Sequence, residues 1–209
     1  MQEIVLIGGG GHARVVIDLI RISGIYEIIG ILDSQLEVGS SVSGISVLGN
    51  DNLLSELYTK GIRNACIAIG SVKDNSRRKI LYEKVKQVGF SVPSLLHPQS
   101  IVSKYNTKIY EGVQIMAGAI VQTCCSIGEN TIVNTGAVIE HDCIVGNHVQ
   151  ISPGAVISGG CAISNSAFVG TGATIIHSIK IGSNSVVAAG AVVVNSVPDN
   201  TRVMGVPAK

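Results

Sequence analysis

The sequence predicts an α/β N-terminal half carrying a small Rossmann-like parallel sheet (residues 1–95), followed by a parallel β-helix of hexapeptide repeats (residues 96–209). Three observations predict it. Every sixth residue from Ile109 to Val193 is Ile or Val, fifteen in succession. A glycine run, Gly8 to Gly11, separates a short apolar stretch from one with helical spacing. The third is composition: of 209 residues 46% are hydrophobic, 14% charged and 3% aromatic, with no Trp, 25 Gly and 56 Ile or Val. Globular chains carry about 25% charged residues, and no stretch here approaches the roughly 20 apolar residues of a membrane-spanning helix. The hydrophobicity must therefore follow from architecture.

In the first half, Ile4 to Ile7 reads as a buried strand, Gly8-Gly9-Gly10-Gly11 as a tight turn, and His12 to Ile22 as a helix with Val15, Val16, Leu19 and Ile20 apolar. A strand from Ile28 to Leu32 ends in Asp33. A short helix from Asn52 to Lys60, a strand from Ala65 to Ile69 and a charged helix from Asp74 to Val88 follow. Alternating strand and helix argue for a parallel sheet. Gly8, Gly10 and Ala13 fit G-x-G-x-x-[GA] between strand and helix, with Asp33 about 20 residues on. Two readings stand side by side: a turn that merely closes a βα unit, or a phosphate resting on backbone N–H groups with a carboxylate accepting from a sugar or ribose hydroxyl. A half of this length makes one mononucleotide-binding unit, whereas a dinucleotide needs two. A nucleotide, or a nucleotide joined to a sugar, fits better than NAD.

In the second half, small residues such as Ala119, Cys125, Ala137 and Cys143 stand four positions after each Ile or Val. Gly112, Gly118, Asn130, Gly136, Asp142 and their successors stand three after it, types that tolerate positive φ. One hexad is a strand plus a corner, three make an 18-residue triangular coil, and fifteen make five coils. With coils stacked at about 4.8 Å the prism is about 24 Å tall. Cys125, Cys143 and Cys161 fall 18 apart in the small column and should stack as a buried ladder. The five cysteines include no C-x-x-C pair, so neither a disulfide framework nor a metal site is expected. A net charge of +1 and scarce aromatics argue against a nucleic-acid partner. The start, Met1-Gln2-Glu3-Ile4, has no positively charged leader segment, so the chain reads as cytoplasmic.

His97 precedes Pro98 and reads as part of the junction, and His148 as a corner residue. His141-Asp142 lies at a corner, the arrangement of a general base with a carboxylate to orient it. Eighteen residues on, Gly159-Gly160 stacks above His141 at about 5 Å, offering a backbone N–H as an oxyanion donor. His177 lies on the same edge two coils above His141.

The hexads Ile127-Gly128, Val145-Gly146, Val169-Gly170 and Ile181-Gly182, the segment Ile139-Glu140-His141-Asp142-Cys143 and the ending Gly205-Val206-Pro207-Ala208-Lys209 resemble left-handed β-helix acyltransferases. Joined to Gly8-Gly9-Gly10-Gly11-His12-Ala13, the whole chain resembles bacterial sugar O- and N-acetyltransferases. That group includes the bacillosamine-pathway UDP-4-amino-sugar N-acetyltransferases and the sialic acid O-acetyltransferases. The resemblance implies a homotrimer with acetyl-CoA between neighbouring β-helices and a nucleotide-linked amino sugar on the N-terminal domain. It implies His141 as base, Asp142 as its orienting acid and Gly159 as oxyanion donor. It also implies Asn134 facing the sugar, Gly8, Gly10, Gly11 and His12 in the sugar-binding turn, and Asp33 near the nucleoside. Acetyl-CoA would meet Gln150, Gly159, Gly160 and His177. The chain departs from the pattern at Gln150, where a second histidine is common, and at Asp33-Ser34, where some relatives have paired acids. The expected reaction is N-acetylation of a UDP- or dTDP-linked 4-amino-deoxysugar in surface-glycan synthesis. O-acetylation of a sugar hydroxyl would use the same base and donor, and a non-catalytic nucleotide-sensing scaffold is the reading from another class.

Overall fold

The computed structural model describes residues 1–71 and 74–209, which fall into two compact units. The first takes Met1–Gly70 and Arg77–Leu95; the second takes Leu96–Lys209 with the described residues of Ser71–Ser76.

In the first unit, β1 (Gln2–Ile7), α1 (Gly11–Ser23), β2 (Tyr26–Leu32), β3 (Ser41–Val42), β4 (Ile45–Gly49), α2 (Leu54–Thr59), β5 (Asn64–Ile67) and α3 (Ser76–Val88) follow in order. The sheet order is β3-β4-β2-β1-β5. β1 lies in its interior, parallel to β2 and β5, and Ile4 to Ile7 are at most 2% exposed, as an uninterrupted apolar run requires of a parallel strand covered on both faces. α1 buries Ala13, Val16, Ile17, Leu19 and Ile20, and ends at Gly24, whose left-handed φ of 64° lets its N–H donate back to the Ile20 carbonyl. The sheet is not wholly parallel. β3 pairs antiparallel with β4 through a two-residue turn, Ser43-Gly44, in which both residues have positive φ.

The second unit is a left-handed parallel β-helix. Face one stacks Ile101–Val102, Ile120–Val121, Val138–Ile139, Val156–Ile157, Thr174–Ile175 and Val192–Val193; face two stacks Lys108–Ile109, Ser126–Ile127, Ile144–Val145, Ala162–Ile163 and Lys180–Ile181. Face three runs from Leu95–Leu96 through Gln114–Ile115, Ile132–Val133, Gln150–Ile151, Phe168–Val169 and Val186–Val187 to Arg202–Val203. Partners are 18 residues apart along the regular coils, as in Val138 with Val156. The helix begins two strands earlier than the hexad count from Ile109 places it. Leu96 to Val102 is a step of six and Val102 to Ile109 a step of seven, so a one-residue insertion hides these two strands from a search of period six.

The repeat columns have separate physical causes. The Ile/Val column and the small column fill the interior, and from Val121 to Val193 the former is at most 2% exposed. Polar members of the small column hydrogen bond to backbone: Thr131 Oγ1 donates to the Gly146 carbonyl at 2.9 Å and accepts from Val149 N at 3.0 Å. Cys125, Cys143 and Cys161 stack as expected, each thiol donating to a carbonyl of the adjacent coil, on Glu140, Ser158 and Ile176. The neighbouring Cys125 and Cys161, together with burial, push the Cys143 thiol well above its ordinary range. The corner column has positive φ throughout, 60° at Asp142 and 71° at Gly160. His97 is 9% exposed and belongs to the first coil, its N–H donating to the Ile115 carbonyl.

Candidate active site

The edge between faces one and two carries the histidine and carboxylate singled out by spacing. The backbone there is pinned from both sides: Asp142 N donates to the Thr123 carbonyl of one neighbouring coil at 3.1 Å, and Gly160 N of the other donates to the His141 carbonyl at 2.9 Å. The left-handed turn at Asp142 sets its carboxylate beside the ring, Nδ1 to Oδ2 2.8 Å. Hydrogen bonding to Asp142 raises the His141 pKa above the usual imidazole value. With the Nδ1 proton given to that carboxylate, Nε2 is the basic nitrogen. Both side chains are more than half exposed, at 62% and 64%.

The ring lies over Gly159. A Cβ there would stand 2.6 Å from both Cε1 and Nε2 of His141, so the absence of a side chain is what admits the imidazole. The two glycines differ in what they can donate. Gly160 N–H closes the coil on His141, whereas Gly159 N–H, the expected oxyanion donor, makes no hydrogen bond among the described residues. The cause is general. In the hexads from Ile115 to Val187 the second and fourth residues donate within the ladder and the third does not; several third residues, Glu129, Thr135, Asn147 and Ser183, donate to a side chain instead. His177 is exposed on the same edge.

Two other expected residues lie elsewhere in the same chain. Asn134 is at the far end of face one, its Oδ1 accepting from Thr135 N at 2.8 Å. Gln150 is on face three, 4% exposed, with Oε1 buried and without a hydrogen-bond partner among the described residues. Near the Asn134 edge a cavity of about 430 Å³ is lined by Phe168, Gly170, Thr171, Val186, Ala188, Ala189 and Arg202. Sequence reasoning missed it because its walls, Phe168, Val186 and Arg202 around small residues, come from separate coils and form no motif.

In the first unit the four glycines divide into pairs. Gly8 has φ 104° and a Cβ would meet Ile69 at 2.2 Å, and a Cβ on Gly9 would meet Leu36 at 2.5 Å, so both are required by the chain itself. Among the described residues nothing lies within 4 Å of where a Cβ on Gly10 or Gly11 would be, and none caps the start of α1 with a side chain. These two therefore leave open the approach to a helix N-terminus, the setting for an anion. His12 packs against Gly70. Asp33, expected to face a ribose or sugar hydroxyl, already accepts three hydrogen bonds within its own chain. Its Oδ2 accepts from Gly9 N at 2.8 Å and its Oδ1 from Gln35 N and Leu36 N at 2.7 and 3.3 Å, so its first task is to tie the glycine turn to the loop after β2.

The sequence also gave no hint of Arg77, which lines two adjoining cavities with Asp33 and Ile69. The next residue, Arg78, is buried and donates to the Ile67 and Ile69 carbonyls at 2.7 and 3.0 Å, fixing the wall of those cavities; burial lowers its pKa to about 10. Among the described residues no group of three or more His, Cys, Asp or Glu could hold a metal ion, and no helix is long and apolar enough to cross a membrane.

Comparison with known proteins adds the following. Residues 3–85 match the PglD N-terminal domain, and residues 106–141 and 125–159 match the bacterial transferase hexapeptide (six repeats). A histidine-to-asparagine variant of perosamine N-acetyltransferase from Caulobacter crescentus, in complex with CoA and GDP-perosamine, is 37% identical with a TM-score of 0.94, over 100% of this chain and 96% of that one. The acetyltransferase domain of PglB from Neisseria gonorrhoeae, in complex with acetyl coenzyme A, is 37% identical with a TM-score of 0.91, over 100% and 98%. WeeI from Acinetobacter baumannii, 24% identical with a TM-score of 0.86 over 100% and 99%, shares the fold. No curated protein matches the chain.

Proposed function

The chain belongs to the left-handed β-helix sugar N-acetyltransferases with a PglD-type N-terminal domain and is an acetyltransferase using acetyl-CoA; from that premise we propose that it acetylates the 4-amino group of a nucleotide-linked deoxysugar, with His141 as general base. One observation carries the reading: a carboxylate-held imidazole lies over a glycine whose N–H is unused. The amine lone pair attacks the thioester carbon, and its proton passes to His141 Nε2. Gly159 N–H stabilises the oxyanion of the tetrahedral intermediate. Collapse breaks the C–S bond, and the CoA thiolate takes the proton back from the imidazolium. Asp142 keeps Nε2 basic and stabilises the charged ring. Asn134, His12 and the Gly8 to Gly11 turn are assigned to the sugar nucleotide; Gln150 and His177 to the acyl donor.

The dispersal of these residues supports a shared site. Face one presents Ile101, Ile120, Val138, Val156, Thr174 and Val192 outward, one β-branched uncharged residue per coil, whereas face two presents Lys108 and Lys180. Three chains packing these faces about one axis would bring the His141 edge of each against the Asn134 edge and apolar cavity of the next. That cavity, with Arg202 at its rim, suits the pantetheine arm of CoA. Five cysteines outside any disulfide fit a reducing cytoplasm, where the product would feed surface-glycan assembly.

The test is CoA thiol release with nucleotide-linked 4-amino sugars. His141→Asn is expected to lower kcat by about 10²- to 10⁴-fold with little change in KM. A variant with the parent's kcat would remove His141 from the chemistry.

A further inference from the structure

We propose that the N-terminal unit selects its nucleotide by the base, and that the base is guanine, read by the Asp51 carboxylate with Arg77 beside it. The inference rests on the reading that this unit holds a nucleotide-linked sugar.

Two cavities meet at Asp33, Ile69 and Arg77. One is lined by Gly9 and Gly10 with Gln35 and Leu36, on the side of the uncapped start of α1. There the bare glycines at the start of α1 suit a diphosphate. The other, about 190 Å³, has Ile7, Leu32, Ile69 and Leu81 as apolar walls, with Ser34 and Asp51 as polar groups. It is smaller than the roughly 300 to 1,000 Å³ of a whole-ligand site, as befits one part of a ligand. Apolar walls with a few polar groups are what a flat heterocycle needs.

The polar groups decide which heterocycle. Asp33 is the poorer reader, because three of its lone-pair directions already serve backbone N–H groups of Gly9, Gln35 and Leu36. Asp51 is the better one. Lys84 Nζ holds Oδ2 at 2.7 Å, while Oδ1 makes no hydrogen bond among the described residues. An ionised carboxylate only accepts, with two oxygens and about four lone-pair directions. It therefore matches an edge with two adjacent donors, which guanine presents at N1–H and N2–H₂. Uracil and thymine present one N–H flanked by two carbonyls, and adenine an amino group beside a bare ring nitrogen; each sets an acceptor against the carboxylate. Arg77, a pure donor, complements the O6 and N7 acceptors of guanine.

Calorimetric titration of the full chain with GDP, UDP, dTDP, ADP and IDP tests this without any variant. GDP is expected to bind at least roughly tenfold more tightly than UDP, dTDP or ADP. IDP, which lacks only the 2-amino group, should bind roughly tenfold more weakly than GDP. Asp51→Asn should abolish the guanine preference while leaving UDP affinity near its starting value. UDP or dTDP binding as tightly as GDP would overturn the assignment, and IDP equal to GDP would overturn the carboxylate contact. Thiol release separates this outcome from the fate of the proposed reaction. Acetylation of a UDP-linked amino sugar without guanine preference would sink the base assignment and leave the acetyl transfer standing. Guanine preference with no acetyl transfer to any amino sugar would do the reverse.

Discussion

Replacing Gly159 by Ala tests the placement of His141 with little other disturbance. Gly159 is not in the positive-φ region, so the backbone accepts alanine, and the coil bonds from Ser178 N to Gly159 O and from Gly160 N to His141 O need not change. The N–H proposed as oxyanion donor also remains. What changes is space: the new methyl would stand 2.6 Å from Cε1 and Nε2 and 3.1 Å from Nδ1 of His141. Carbon contacts settle at 3.5 to 4.0 Å, so the ring must retreat by about 1 Å. A misplacement of that size costs about 10²-fold in rate, equivalent to about 2.7 kcal/mol in the barrier. The assay is steady-state thiol release at saturating acetyl-CoA and sugar nucleotide, with a thermal unfolding curve on the same preparation. The expected result is a kcat loss of that order with an unchanged melting temperature and little change in either KM. Unchanged kcat would refute the reasoning, since the ring could then move without consequence.

Asp142→Asn keeps a side chain that tolerates the left-handed turn but removes the charge that raises the His141 pKa. Catalysis needs the neutral ring, so the rate falls as pH drops through that pKa. The falling limb should lie above the ordinary imidazole value of about 6.5 in the parent and move to lower pH in the variant; a limb that stays in place would uncouple the two residues. Thiol titration of the folded protein should find Cys124 alone reactive, because Cys66, Cys125, Cys143 and Cys161 are at most 1% exposed. Rapid labelling of a second thiol would contradict the buried ladder. Val156→Lys puts a charge in the middle of face one, where Val156 is 36% exposed. Light scattering should show a trimeric parent and a monomeric variant with lost activity, and a parent that is monomeric yet active would exclude the shared site.

The β-helix was legible because each column of the hexad answers to a different constraint: Ile and Val to the interior, Ala and Cys to the narrow vertex, Gly, Asn and Asp to positive φ. The first two strands of the β-helix were hidden by the extra residue between Val102 and Ile109. The β3–β4 hairpin escaped because Ser41–Val42 is too short to show alternation. His141, Asp142 and Gly159 were legible because coil stacking converts a spacing of 18 into contact. The task of Asp33 was not, because a spacing of about 20 from a glycine motif cannot tell a carboxylate aimed at a ribose from one bonded to its own turn. Arg77 has no motif, and only the closure of the sheet brings it beside Asp33. Asn75 is similar: it donates to the Ser166 and Ala167 carbonyls, about ninety residues further along the chain, a contact no local pattern encodes.

The third-position N–H that stays outside the ladder along the His141 edge has a wider consequence. Along one edge it recurs at Thr123, His141, Gly159 and His177, so the prism carries a graduated rail of identical donors at intervals of about 4.8 Å. What makes one rung reactive is that an imidazole occupies the rung beside it and no side chain covers its own. Moving that pair of residues 18 positions along the chain would relocate the reaction centre by one graduation on an unaltered scaffold. The reach between acyl donor and acceptor can thus be reset by substitutions alone, which lets one prism serve acceptors of different lengths.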